Sequence, residues 1–478
     1  MNADLKSLRP KLAEIGQDHV LRFADQLDEP GRAKLASQLA TLELPRIAEL
    51  AEQYVRNKPE LRLPTKLEPV QVYPRQATEK LRKLYDDARA KGEQMLRAGQ
   101  IAAFLVAGGQ GTRLGYDGPK GEYPVTPIKN KPLFEVFAEQ LLNQRQTYGK
   151  SVPWYIMTSD VNDAPTRAFF KKHANFGYPS DDVIFFQQGM MPAFATDGKM
   201  LLGATDSLAL SPDGHGGSLR ALQRSGALAD MRRRGVEHLS YFQVDNPMVY
   251  CIDPLFLGLH ALTGSEMSSK TVGKAGPLEK VGNFVVGDGV VQVIEYSDLP
   301  ESIAQQTNPD GSLRFNSGSI AIHALSVAFI ERLNAGGDLK LPWHRAEKKV
   351  PYVDETGRSI KPDKINAVKL EQFVFDAIPL AKNAMVYATD RSEEFSPVKN
   401  AEGVDSPATC RRDQIRRAAR WLRFAGVEIP EQNNEPKVTL EISPLYANSP
   451  EQLRRRAPKI GVKPGAEIYL GSEGIEGN

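Results

Sequence analysis

The stretch FLVAGGQGTRLGYDGPKGE, residues 104–122, decides how this chain is read. The apolar run Ile101-Ala102-Ala103-Phe104-Leu105-Val106 has the length and composition of a buried strand. It passes directly into Gly108-Gly109-Gln110-Gly111, then Arg113, then Pro119-Lys120-Gly121. Glycines let backbone N–H groups approach anionic oxygens closely, because no Cβ intervenes. Arg113 and Lys120 add positive charge to the same loop. Together they suit a nucleoside triphosphate. An ordinary glycine-rich turn would explain the glycines but leaves the two cations unexplained. Two familiar phosphate loops do not fit. Gly109, Gly111 and Gly115 give G-x-G-x-x-x-G, and Lys120 lies between Pro119 and Gly121 instead of between Gly and Ser or Thr.

Working outward, short apolar runs at 101–107, 153–158, 183–187, 238–244 and 281–287 read as strands. Stretches at 132–147, 163–174, 217–233 and 325–334 have helical spacing. This alternation predicts an α/β layer with a mainly parallel sheet, whose ligands gather at the carboxyl ends of strands. Upstream, Leu5, Leu8, Leu12 and Ile15, then Leu35, Leu39 and Leu42, predict helices. Asp28-Glu29-Pro30-Gly31 reads as a turn between them. A proline-punctuated connector (58–76) and a polar helix (77–98) lead into the first strand. The expected division is a helical N-terminal region (1–98), a catalytic region (99–390) and a small α+β C-terminal region (391–478). In that last region Arg411, Arg412, Arg416 and Arg417 offer either a phosphate patch or, as is commoner for such runs, a solvated helix face. The runs 232–234 and 454–456 are read the same way.

Composition narrows the class. The net charge of +2 gives no reason to expect nucleic acid or an acidic membrane as a partner. Cys251 and Cys410 alone form no disulfide framework or metal cluster and fit a reducing compartment. Cys251, in the apolar MVYCI, is expected in the core. The N-terminus lacks the apolar stretch of a secretory signal, and no long apolar run suggests a membrane span, so a cytoplasmic protein is expected.

GGQGTRLG followed by PKG resembles the signature of the UTP-dependent uridylyltransferases that make UDP-sugars. The resemblance continues through VPWYIMTS (152–159), FFQQGMMPA (185–193), SPDGHGGSLRAL (211–222), QVDNP (243–247), VIEYSD (293–298), FNSGSIAIH (315–323), KLEQFVFD (369–376) and EEFSPVKNA (393–401). Within that family the chain is most similar to the UDP-N-acetylhexosamine pyrophosphorylases. The resemblance implies a Rossmann-like nucleotide-diphospho-sugar transferase core, UTP and a sugar 1-phosphate as substrates, and Mg²⁺ as cofactor. Such chemistry needs positioning and charge neutralisation more than a general base, because the attacking phosphate is already ionised.

Residue by residue, the resemblance assigns Val106, Ala107, Gly108, Gly109, Gly111 and Thr112 to the nucleotide. It sets Arg113 against the leaving phosphates and Lys120 near the transferred one. Gln188 and Gly214 are implied base contacts, and Lys369 a phosphate contact on the UTP side. Asp245, at the end of an apolar strand pattern, reads alone as a cap or turn residue; the resemblance makes it a metal ligand. Gly282, Glu295, Tyr296 and Asn316 match sugar-side positions, and Lys399 matches a lysine on the sugar 1-phosphate. Two positions depart from the N-acetylhexosamine pattern. His215 stands where Asn is usual, as in enzymes that make UDP-glucose, and Ser319 also replaces Asn. The expected product is UDP-N-acetylglucosamine, with glucose 1-phosphate or a broader sugar set as the alternative. A non-catalytic UTP- or UDP-sugar-binding protein is the reading from another class.

Overall fold

Ile101–Val106 forms a strand buried on both faces, which is why its sequence is continuously apolar instead of alternating. In the computed structural model, which describes residues 5–59, 63–337, 339–456 and 459–477, this strand lies inside a ten-stranded sheet. Its strands are β1 (Leu67–Pro69), β2 (Ile101–Val106), β3 (Trp154–Thr158), β4 (Val183–Gln187), β5 (His238–Gln243), β6 (Met267–Gly273), β7 (Asn283–Gly287), β8 (Val290–Ile294), β9 (Ser317–Ser326) and β10 (Ala384–Ala388). The order is β1-β7-β9-β5-β2-β3-β4, with β8 on β7 and β6 between β9 and β10.

The centre is parallel. β5, β2, β3 and β4 run in one direction, and β6 runs parallel to β10. β9 is antiparallel to both β5 and β6, so it joins the two parallel groups. Side chains alternate across β2: Ile101, Ala103 and Leu105 join one core cluster with Trp154, Ile156 and Phe242. Phe104 points the other way and meets Tyr241 edge-on at 5.2 Å and Phe186 at 5.7 Å. The expected helices form at Leu133–Tyr148, Asp163–Lys172 and Val327–Asn334. The stretch 217–233 forms two helices, Ser218–Arg224 and Ala227–Arg234, because Gly226 takes φ +81° between them.

The chain divides into two units, each drawn from separated segments. The larger takes the described residues of Pro64–Gln187, Ala221–Asp338 and Ala377–Asn478, and holds the sheet. Toward its C-terminus, helix Pro407–Phe424 packs with the parallel strands Thr439–Ile442 and Glu467–Gly471. Cys251 and Cys410 are buried free thiols. The arginines of that helix are neither a phosphate patch nor a plain solvated face. Arg411 donates to the Pro124 carbonyl, Arg416 pairs with Glu435, and Arg417 donates to the Met248 and Glu393 carbonyls. Arg412 lies beside Asp413. The run 232–234 is spent similarly on Glu331, Asp230 and Asp182.

The smaller unit takes the described residues of Met1–Leu63, Gln188–Arg220 and Leu339–Asp376. Leu8, Leu12, Leu35 and Leu39 pack there with Phe194, Trp343, Val368 and Leu370. The Asp28–Gly31 stretch is not a turn. Helix Glu29–Ala40 starts inside it, with Asp28 as N-cap accepting from the Gly31 N–H at 2.9 Å. Pro30 is tolerated because first-turn N–H groups have no helical partner to lose. Among the described residues no helix is long and apolar enough to cross a membrane.

Candidate active site

The loop after β2 is held from below and open above. The Ala107 N–H donates to the Met157 carbonyl at 2.8 Å, which continues the β2–β3 pairing by one residue. Gly111 N–H bonds the Gly118 carbonyl at 2.9 Å and Lys120 N–H the Gly109 carbonyl at 3.1 Å, closing the loop on itself. Asn162 fixes its base. Its fully buried side-chain amide donates to the carbonyls of Ala107 (2.9 Å) and Gly109 (3.3 Å) and accepts from the Ser159 N–H (2.7 Å). Gly109 is exposed, and a Cβ added there would meet no atom within 4 Å. Gly121, at the far end, is required by packing: a Cβ would sit 2.1 Å from the Phe134 ring. Val106 and Gly108 are half-buried, Gly111 is buried, and Thr112 and Arg113 face solvent.

Four of the charged residues proposed from sequence converge in this unit. Burial pulls the Lys120 ammonium below the usual lysine range; Asp245 opposes that pull, while Arg113 and Lys399 add to it. Lys120 Nζ lies 3.4 Å from the Val398 carbonyl, and the Val398 N–H donates to the Asp245 carbonyl at 2.7 Å. Lys399 Nζ stands 3.8 Å from Asp405 Oδ2. Burial holds the Asp405 carboxyl above its ordinary range; Lys399 opposes this and Asp245 reinforces it. Lys120, Asp245 and Lys399 are thus neighbours at the carboxyl end of β5, where an α/β sheet places its ligands. Among the described residues no three His, Cys, Asp or Glu side chains gather into a metal cluster. Mg²⁺ needs no such cluster, since it binds through one or two carboxylates with water and substrate oxygens. Asp245 carries carboxylate oxygens of the hard kind such an ion takes, and it lies within electrostatic reach of Asp405.

On the sugar-side positions, Gly282 is buried, and a Cβ there would lie 2.7 Å from Val293, 3.3 Å from Glu295 Oε1 and 3.8 Å from Ser319. The Ser319 N–H donates to the Gly282 carbonyl at 2.8 Å. Gly282, Glu295 and Ser319 therefore meet. Tyr296 and Asn316 are exposed, and Asn316 Oδ1 accepts from the Lys274 N–H at 2.8 Å.

The remaining candidates belong to the smaller unit. Met190–Pro192 pairs antiparallel with Leu210–Pro212, so Gln188 and Gly214 lie at the same end of a two-stranded ribbon. Gly214 has φ +87°, and a Cβ would fall 2.4 Å from the Gln372 carbonyl oxygen. Gly216 N–H bonds that same carbonyl at 2.8 Å, and its Cβ would lie 2.7 Å from the 372–373 backbone. The glycines thus let the 213–217 loop dock backbone-to-backbone on the end of strand Ala367–Glu371, which carries half-buried Lys369. His215 stacks on Phe373 at 5.2 Å and accepts the Val374 N–H at Nδ1, 3.1 Å away. Burial, with a smaller push from His344, lowers its pKa to about 4. His215 is therefore neutral near pH 7, and since Nδ1 is an acceptor its proton sits on Nε2.

Sequence reading missed Asn162, Asp405 and the docking partner Gln372. Asn162 follows β3, the parallel neighbour of β2, so the strand-end rule already marked its loop.

The chain as a whole is similar to known proteins. A family model described as UTP–glucose-1-phosphate uridylyltransferase matches residues 46–405. The chain is 38% identical to UDP-N-acetylhexosamine pyrophosphorylase-like protein 1 of Mus musculus, across 94% of each chain. It is 37% identical to the UDP-N-acetylglucosamine pyrophosphorylase of Saccharomyces cerevisiae, across 77% of this chain and 78% of the yeast protein. The crystal structure of the uridine diphosphate N-acetylglucosamine pyrophosphorylase from Trypanosoma brucei in complex with inhibitor superposes with a TM-score of 0.80 at 26% identity, across 95% of this chain and 94% of that one. With its glycine loop, strand-end aspartate and converging lysines inside the matched span, the chain belongs to the UTP–glucose-1-phosphate uridylyltransferase family.

Proposed function

We propose that this protein transfers uridylate from UTP to N-acetylglucosamine 1-phosphate, giving UDP-N-acetylglucosamine and pyrophosphate. A sugar phosphate oxygen attacks the α-phosphorus in line, the new P–O bond forms, and the bond to the β-phosphate oxygen breaks. The observation that carries the reading is the convergence of Lys120, Lys399 and Asp245 beside an open glycine loop whose Gly109 leaves room for a ligand. Two polyanions approach one another in this reaction, and fixed cations offset their repulsion. Lys120 neutralises the transferred phosphate, Arg113 the leaving pyrophosphate, and Lys399 the sugar phosphate. The Val106–Thr112 loop holds the nucleotide through main-chain groups other than the Ala107 and Gly111 N–H groups, which are bonded within the protein; Gln188, Gly214 and Lys369 are further nucleotide contacts. Gly282, Glu295, Tyr296, Asn316 and His215 are the sugar contacts. Asp245 would hold Mg²⁺, which when bound withdraws charge from the phosphate oxygens. Names carried by similar proteins, such as the yeast UDP-N-acetylglucosamine pyrophosphorylase, favour this sugar. The buried free thiols accord with a cytoplasmic location.

A second sugar reading has its own support. His215 offers only an Nε2–H donor, because the Val374 amide occupies Nδ1. An asparagine would offer donor and acceptor together. Glucose 1-phosphate, or a broader set of hexose phosphates, is the competing acceptor. Pyrophosphate release from UTP and Mg²⁺, with the two sugar phosphates in parallel, separates these readings. A higher kcat/KM for the N-acetyl sugar supports the main one; a higher value for glucose 1-phosphate assigns the choice to His215. UTP binding without release from any hexose 1-phosphate would leave a binding protein.

A further inference from the structure

Segment 394–399, Glu394-Phe395-Ser396-Pro397-Val398-Lys399, delivers Lys399 to the site and is held by an unusual buried set. Lys270 lies in the middle of β6 with 1% of its side chain exposed, and Glu394 is equally buried. Lys270 Nζ is 2.6 and 2.8 Å from the two Glu394 oxygens and 2.7 Å from Asp253 Oδ2. Thr389 Oγ1 donates to Glu394 Oε2 at 2.7 Å, and the Tyr250 N–H to Oε1 at 3.2 Å. Asp253 also caps helix Pro254–Leu262, accepting from the Leu255 and Phe256 N–H groups. Asn246, next to Asp245, donates to the Glu394 carbonyl at 2.8 Å and accepts the Ser396 N–H at 3.2 Å. Two residues on, the Val398 N–H reaches the Asp245 carbonyl at 2.7 Å.

Packing alone does not call for this arrangement, since a buried ion pair is often no more stabilising than apolar side chains of the same volume. What it provides is direction: the bonds to Glu394, Ser396 and Val398 each fix an atom of the segment that ends in Lys399, while Asp253 holds Lys270 in turn. Loss of about 1 Å of placement in a transfer site costs roughly 100-fold in rate, although nothing touching the substrate has changed. We propose that Lys270, Glu394 and Asn246 are positioning residues that hold Lys399 in register at the site. The proposal rests on the uridylyltransferase reading.

The test is a double-mutant cycle. Lys270→Met and Glu394→Gln are each made alone and with Lys399→Ala, and kcat and KM are measured with UTP and N-acetylglucosamine 1-phosphate. Each single variant should lose about 10- to 100-fold in kcat with KM for UTP nearly unchanged. In the Lys399→Ala background the same changes should cost under about 3-fold. Equal losses in both backgrounds would overturn the proposal. Should Lys270→Met fail to fold, Thr389→Val removes one bond to Glu394 and should give a smaller loss with the same dependence on Lys399. Hydrogen exchange of the full chain supplies a readout free of turnover. Amides of Val398 and Lys399 should exchange about tenfold faster in Glu394→Gln, with strand Thr439–Ile442 unchanged. Unchanged exchange at Val398 would also overturn the proposal, whereas absent turnover in the parent chain counts against the uridylyltransferase reading alone.

Discussion

The two glycine loops of this protein look alike in sequence and differ in what their glycines are for. In the loop after β2, Gly109 is exposed, and a Cβ there would meet nothing. In the 213–217 loop, Gly214 and Gly216 lie against the Gln372 backbone, where a Cβ would come within 2.4 and 2.7 Å. Gly109 is bare of a side chain although the fold leaves room for one; Gly214 and Gly216 are bare because the fold has no room. A glycine that the fold does not need points to a ligand more strongly than one that it does.

Breaking the packed loop should have the largest effect. Gly214→Ala combines a backbone clash with a left-handed φ and should destabilise by about 3 kcal/mol or more, read as a lower denaturation midpoint. A midpoint matching the parent would remove the packing half of the comparison. Gly109→Ala should leave that midpoint unchanged and raise the Kd for UTP by about 10-fold, roughly 1.4 kcal/mol. Calorimetric titration measures it, and equal affinity would remove the ligand half.

The packed loop also carries a pH signature. His215 has a folded pKa of about 4 against an ordinary 6.5. Below pH 6.5 the unfolded chain takes up a proton that the folded chain refuses, so stability falls as pH drops from 6.5 toward 4. In His215→Asn the melting temperature should fall less steeply between pH 7 and pH 5; parallel slopes would show that His215 is not buried neutral. The smallest effect belongs to an exposed ion pair on helix Pro407–Phe424. Arg416 and Glu435 keep 36% and 45% of their side chains exposed, so Arg416→Ala should cost no more than about 1 kcal/mol. A larger loss would restore a special role to the basic helix.

The parallel centre of the sheet was legible because strands covered on both faces leave unbroken apolar runs, as at Ile101–Val106 and Trp154–Thr158. The strands around β9 were harder. β6 reads Met-Ser-Ser-Lys-Thr-Val-Gly, and its central lysine looks like a loop residue until Asp253 and Glu394 appear beside it. The smaller unit joins 188–220 and 339–376 to the N-terminal helices, a long-range association that local periodicity does not encode. Among the site residues, the loop cations stood out beside the strand-end glycines, whereas Asp245 read alone as a cap or turn residue and became a metal candidate only through the resemblance. Lys369 and Lys399 read alone as solvated lysines and became candidates only through the resemblance of their surrounding segments. Asn162 was hidden because its work is done by one buried amide on two carbonyls.

Uridylyl transfer by the open loop and the lysines around Asp245 is the proposed activity. Its most direct test is the rate of pyrophosphate release from UTP, Mg²⁺ and N-acetylglucosamine 1-phosphate, by the parent chain and by Lys399→Ala shown to be folded by circular dichroism. Release should depend on the sugar phosphate and fall at least about 100-fold in the variant. No sugar-dependent release by the parent, or equal release by both, would contradict it.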